Sequence, residues 1–194
     1  MIIFFSSQIF SGDGGSSGGL SPNQATALVM GVNFLATIVA SGFLNIFGRK
    51  TLNFSMTAAC TVFLLVQGVA ADKSISTLEL VMCLGFVVCF EFGPGPVVWM
   101  YMSEIMNDTG VSMGVFINWF LTLLVGLGSP SLSILLGGGN IFILFGGFQL
   151  VAAIFIFFFM KETKGLSEAK VQALYRNDPK QPDIEEVEVL LEDH

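Results

Sequence analysis

Five apolar stretches, each about as long as a bilayer is thick, constrain this chain more than any other feature. A helix needs about 20 predominantly apolar residues to cross roughly 30 Å of hydrocarbon. Stretches near 23–47, 51–71, 77–103, 111–136 and 140–160 meet that length. Turn-forming residues separate them: Ser21-Pro22 before the first, Gly48-Arg49-Lys50 after it, Asp72-Lys73 after the second, Asn107-Asp108 after the third, and Gly137-Gly138-Gly139 before the last. The fold class is therefore all-α, a polytopic membrane helix bundle over residues 1–160 followed by a polar tail over 161–194. Charge follows the same division, because the tail alone holds nine acids and five bases and leaves nine charged residues for the first 160.

Composition removes most chemistries. The net charge is −7 and no Lys/Arg cluster exists to neutralise phosphates, which excludes nucleic acid as a partner. Cys60, Cys83 and Cys89 lie inside apolar runs without a CxxC pair, and the single histidine, His194, is the last residue. Disulfide frameworks, zinc sites and Ser-His-Asp catalysis lack their raw material, and no metal or cofactor is implied. Ser103 beside Glu104 is merely two polar residues at a helix end, so an enzyme is disfavoured. GDGGSSGG near residue 12 lacks GxGxxG spacing and reads as a flexible loop.

Lysine and arginine are retained on the cytoplasmic side of short loops. Arg49, Lys50, Lys161, Lys164, Lys170 and Arg176 share one face with the 104–110 loop, while the other face has only Lys73. The Gly48-Arg49-Lys50 turn and the tail are thus expected in the cytoplasm. Asn107-Asp108-Thr109 is a glycosylation sequon on that face. The opening MIIFFSSQIF covers about 15 Å, half a bilayer, and a helix beginning at Met1 would bring a charged amino group to the midplane. It reads as a truncated helix or an interfacial segment. In the tail, GLSEAKVQALYR reads as a short amphipathic helix with Ser167 as N-cap and Val171, Leu174 and Tyr175 on one face. Pro179 and Pro182 end it, and IEEVEVLLEDH reads as a disordered acidic end.

Glu91 stands midway along the third span, where an ionised carboxylate must face protein or water. Gly93-Pro94-Gly95-Pro96 follows at once, so two backbone donors are missing and the helix is expected to kink or break. Backbone opened at that depth is tolerated only beside protein or a water-filled cavity, which is how discontinuous helices build carrier sites. Asn33, Trp99 and Asn118 add amides and an indole on three spans, the chemistry that binds sugar hydroxyls. Each has a blander explanation: a protonated or interhelically bonded Glu91, interhelical hydrogen bonds for the asparagines, an interfacial anchor for Trp99. Arg49 and Lys50 at one helix end and Glu104 at another are placed to pair in one conformation of a gate, or simply to set topology.

These residues resemble the C-terminal half of a major facilitator superfamily sugar porter. GFVVCFEFGPGPVVWMYMSEI is similar to that family's tenth helix, GRKTL to its signature between helices eight and nine, and Lys161-Glu162-Thr163-Lys164-Gly165 to the PETKG motif after helix twelve. The resemblance implies a six-helix half-bundle whose first helix is truncated and which rocks against a missing N-terminal six-helix half around a hexose. It places Asn33, Glu91, Trp99 and Asn118 at sugar contacts with Trp119 beside them, and Arg49, Lys50 and Glu104 at the inner gate. Departures accompany it: Asn45 replaces an acid, Lys161 replaces proline, the loop after Glu104 is short, and the family's QQxxGxN is absent. Two functions remain open at this point. One is hexose transport by alternating access; the other is a non-transporting scaffold or regulatory half-bundle.

Overall fold

The computed structural model describes residues 21–44, 46–137 and 139–175. MIIFFSSQIF, the GDGGSSGG loop, Asn45 and the acidic end lie outside the described residues. Among the described residues seven helices follow in order: α1 (Pro22–Phe43), α2 (Arg49–Asp72), α3 (Ser76–Phe92), α4 (Pro94–Ile105), α5 (Asp108–Leu136), α6 (Asn140–Phe159) and α7 (Glu168–Tyr175). With α3 and α4 taken as one interrupted span, five are long and apolar enough to cross a membrane. The described chain is an all-helical polytopic bundle.

Local chemistry sets the boundaries. Ser21 and Gln24 form a reciprocal capping box and Pro22 occupies the first helical position of α1. Asn107 caps α5 by accepting a hydrogen bond from the Gly110 amide at 2.9 Å. Gly137, at φ 84°, stops α5 in a backbone region that glycine adopts without strain.

α2 lies at the centre of the packing, against α6 along one side and α3 along the other, and α3 in turn packs on α1. Glycine permits the close α2–α6 approach: a Cβ on Gly68 would lie 2.6 Å from Ile143 Cγ1 and 2.9 Å from the Gly139 carbonyl oxygen. The two helices also exchange carboxylates at their ends. Asp72, at the end of α2, stands against Gly139 at the start of α6, while Glu162, just past α6, accepts hydrogen bonds from the first amides of α2, Arg49 at 2.7 Å and Lys50 at 3.1 Å. Each helix N-terminus, where unpaired N–H groups concentrate positive charge, thus receives a negative group from its neighbour.

The packing is inside-out relative to a water-soluble protein. Phe148, Val151, Phe155 and Phe158 of α6 are more than half exposed, as a lipid-facing surface requires, whereas α2 buries Asn53, Thr57, Thr61 and Gln67. Gln67 is fully buried and its two amide atoms have no hydrogen-bond partner among the described residues. One span is different: α5 touches α4 and α6 but has a central apolar window that is 0% buried.

Candidate functional site

The polar site begins at the break. Pro94 and Pro96 carry no amide hydrogen, so the carbonyls of Phe90 and Phe92 lose the donors that a continuous helix would supply. Gly93 closes α3 by donating to the Cys89 and Phe90 carbonyls at 3.2 and 3.3 Å, and its own carbonyl accepts from Val97 to start α4. A Cβ at Gly93 would lie 2.3 Å from Met56 Cβ, so glycine here also lets α2 pass close to the break.

Glu91 projects from the last turn of α3 and meets α1. Asn33 Nδ2 donates to Glu91 Oε1 at 2.7 Å, and Thr37 Oγ1 stands 2.8 Å from Glu91 Oε2. Asn33 and Thr37 are four residues apart and therefore share one face of α1. The cluster is not sealed, since Glu91 and Asn33 are half-buried and Thr37 is exposed. Four-residue spacing on one helix and a carboxylate on another yield an assembly of donors and acceptors suited to hydroxyl groups.

The remaining candidates divide. Trp99 lies on α4 below the break and is 40% exposed. Asn118 and Trp119 project from α5, both exposed, and no hydrogen bond among the described residues joins them to the Glu91 cluster. The cause is α5 itself, which has little packing to hold it against the other spans.

At the Arg49 end of the bundle, the guanidinium pairs with Glu104, Nη2 at 3.0 Å and Nε at 3.1 Å from Oε1. The other carboxylate oxygen of Glu104 accepts from the Thr163 hydroxyl. Lys50 makes a different contact: its ammonium lies 5.8 Å from the Phe157 ring centroid, and its backbone amide donates to Glu162. Glu162 and Thr163 were thus missed as members of this cluster, although both lie within the KETKG string. Gly48 is required for the Glu162 approach, because a Cβ there would lie 2.3 Å from Oε2.

A second set of contacts docks α7 on α4. The Tyr101 and Tyr175 hydroxyls bond to each other, and the Lys161 amide donates to both, at 3.1 and 2.9 Å. Proline at 161 would have no hydrogen to give, so the lysine found there adds these two amide bonds to a junction in which Tyr101 also donates to the Lys161 carbonyl at 3.0 Å. Val171, on α7 itself, is 3% exposed.

Five helices long and apolar enough to cross a bilayer, one of them interrupted midway beside a carboxylate, mark an integral multi-pass membrane protein. Residues 1–175 match the sugar (and other) transporter family, and the chain belongs to it. It is similar to the solute carrier family 2, facilitated glucose transporter member 2 of Mus musculus, 32% identical with 90% of this chain and 34% of that protein covered. It is also similar to the facilitated trehalose transporter Tret1 of Apis mellifera ligustica, 31% identical over 88% of this chain and 36% of that protein. The chain spans about a third of the length of these curated relatives. Its fold matches that of the major facilitator superfamily proton:xylose symporter XylE bound to 6-bromo-6-deoxy-D-glucose, with a TM-score of 0.79 at 23% identity over 90% of this chain and 39% of that one. The inward open conformation of XylE from E. coli matches with a TM-score of 0.74 at 23% identity, over 90% of this chain and 40% of that one. The fold is that of a major facilitator bundle.

Proposed function

We propose that this chain forms the C-terminal half of a sugar porter, which carries a hexose or related sugar across a membrane by alternating access against an N-terminal six-helix half. The observation that carries this reading is the Asn33–Thr37–Glu91 cluster at the break between α3 and α4. An amide, a hydroxyl and a carboxylate half-open at mid-membrane provide donors and acceptors for a polyol without any covalent chemistry. Trp99 supplies a flat apolar face for a sugar ring, and Asn118 and Trp119 join the site once α5 is covered by further protein. Relatives named as glucose and trehalose transporters support the substrate class.

In this reading the Arg49 end and the tail face the cytoplasm, and the Arg49–Glu104 pair forms in one state of the gate and opens in the other. Lys50 contributes by holding the start of α2 rather than by pairing with Glu104. The test is uptake of radiolabelled hexose into proteoliposomes containing the protein made from its natural transcript. Saturable uptake is expected, with Asn33→Ala and Trp99→Ala each raising KM about tenfold, as the loss of one polar or ring contact does. Absence of saturable uptake would favour the scaffold reading, and sugar attached to Asn107 would invert the topology.

A further inference from the structure

We infer that Thr37 is a positioning residue that sets how stringently the site reads one hydroxyl of its sugar, an inference that rests on the proposed function. Hydroxyls in the spanning helices mostly bond back to the carbonyl one turn earlier and go no further. Thr61, Ser112 and Thr122 do so at 3.0, 2.8 and 2.8 Å, and Ser129 does likewise. Thr37 also has that local acceptor, the Asn33 carbonyl at 2.9 Å, yet its Oγ1 lies 2.8 Å from a carboxylate on another helix. Its single proton can serve only one of the two acceptors at a time, and the carboxylate oxygen, the nearer and stronger acceptor, takes it.

The consequence is geometric. A carboxylate held at one oxygen can swing about its Cγ–Cδ bond, because terminal bonds of this type have broad torsional wells. Asn33 on Oε1 and Thr37 on Oε2 hold both oxygens of Glu91 and fix the plane of the group. About two of its four lone-pair sites remain for a ligand, at fixed angles. An acceptor with a fixed plane distinguishes a hydroxyl from its epimer or from a missing hydroxyl; a swinging one accommodates more of them. Thr37 therefore acts through Glu91, and its loss relaxes selectivity beyond what is lost in affinity.

Binding of D-glucose, its epimers and its deoxy analogues to the protein made from its natural transcript, in lipid nanodiscs, tests this. Thr37→Val keeps the side-chain shape and removes the donor. It is expected to weaken glucose binding severalfold, less than the loss of a hydrogen bond made to the sugar itself, because Glu91 remains in place. It should also flatten the preference for glucose over the analogue that the unmodified protein rejects most strongly, with no change in melting temperature. Thr37→Ser should restore both. A selective unmodified protein whose Thr37→Val variant stays as selective, or whose Thr37→Ser variant fails to regain selectivity, overturns the inference while the proposed function stands. An unmodified protein that binds none of these sugars overturns both.

Discussion

Glu91→Leu is expected to lower hexose affinity about a hundredfold and to leave the bundle folded. The substitution removes the group that joins Asn33 and Thr37 to α3, with contacts at 2.7 and 2.8 Å. Hydrogen bonds to a charged acceptor contribute roughly 1.5–3 kcal/mol each, and about 2.8 kcal/mol is a hundredfold in affinity. Folding should survive because leucine is at home in a spanning segment, where a carboxylate costs a few kcal/mol to hold. The exposed Thr37 retains the Asn33 carbonyl as an acceptor, and the half-open Asn33 amide retains access to water. Glu91→Gln should cost less, about tenfold, since its carbonyl can still accept one of the two bonds. Equilibrium binding of tritiated glucose in nanodiscs, read beside melting temperature, measures both. Equal affinity in all three proteins would remove the carboxylate from the site.

Gly68→Val is expected to produce the largest loss of stability. A Cβ at that position meets the Gly139 carbonyl at 2.9 Å and Ile143 Cγ1 at 2.6 Å; the side chain can turn aside but the backbone of α6 cannot. Overpacking of a tight interface costs about 1–3 kcal/mol, and valine adds two further methyl groups to the clash. Helix pairs in membranes depend on such close approach because no hydrophobic force drives them together. The clash also separates Asp72 from the start of α6, weakening the exchange of end charges that braces α2 against α6. The detergent-solubilised protein should therefore melt several degrees lower, whereas Gly147→Ala, with open space around the added Cβ, should melt where the unmodified protein does. Matching melting curves for all three would show that the α2–α6 crossing contributes little.

Much of the fold was legible because the bilayer demands length and apolarity together. Five stretches had both, and one carried Gly93-Pro94-Gly95-Pro96, whose prolines kink or break a helix. Glu91 stood out as a lone acid at mid-span, and Arg49 and Glu104 as charges at helix ends; the first meets Asn33 and the other two meet each other. Thr37 carried no such mark. Threonine is ordinary in a spanning helix, and what distinguishes this one is a carboxylate 54 residues away in the chain. Glu162 was hidden for a related reason, since an acid next to a polar tail reads as solvated until α2 is seen to begin beside it. Asn118 was placed with the site on residue type and Trp119 through the family resemblance, but neither holds a helix in position, and α5 has few neighbours to do so.

The Tyr101–Tyr175–Lys161 junction shows the same limit from the other side. Lys161 was visible as a departure from proline, and its meaning lies in an amide hydrogen that proline lacks. The spans and the break are thus readable from pattern, while the residues that join helices depend on register between distant segments.

On the proposed function, the break in the third span holds its polar cluster against a water-filled space that a sugar enters. Asn33→Cys, in a protein with Cys60, Cys83 and Cys89 replaced by alanine, tests it through its rate of reaction with a membrane-impermeant maleimide. The account predicts labelling of that thiol and slower labelling when glucose is present at saturating concentration. A thiol that stays unreactive, or reacts at the same rate with and without every hexose tried, would contradict it.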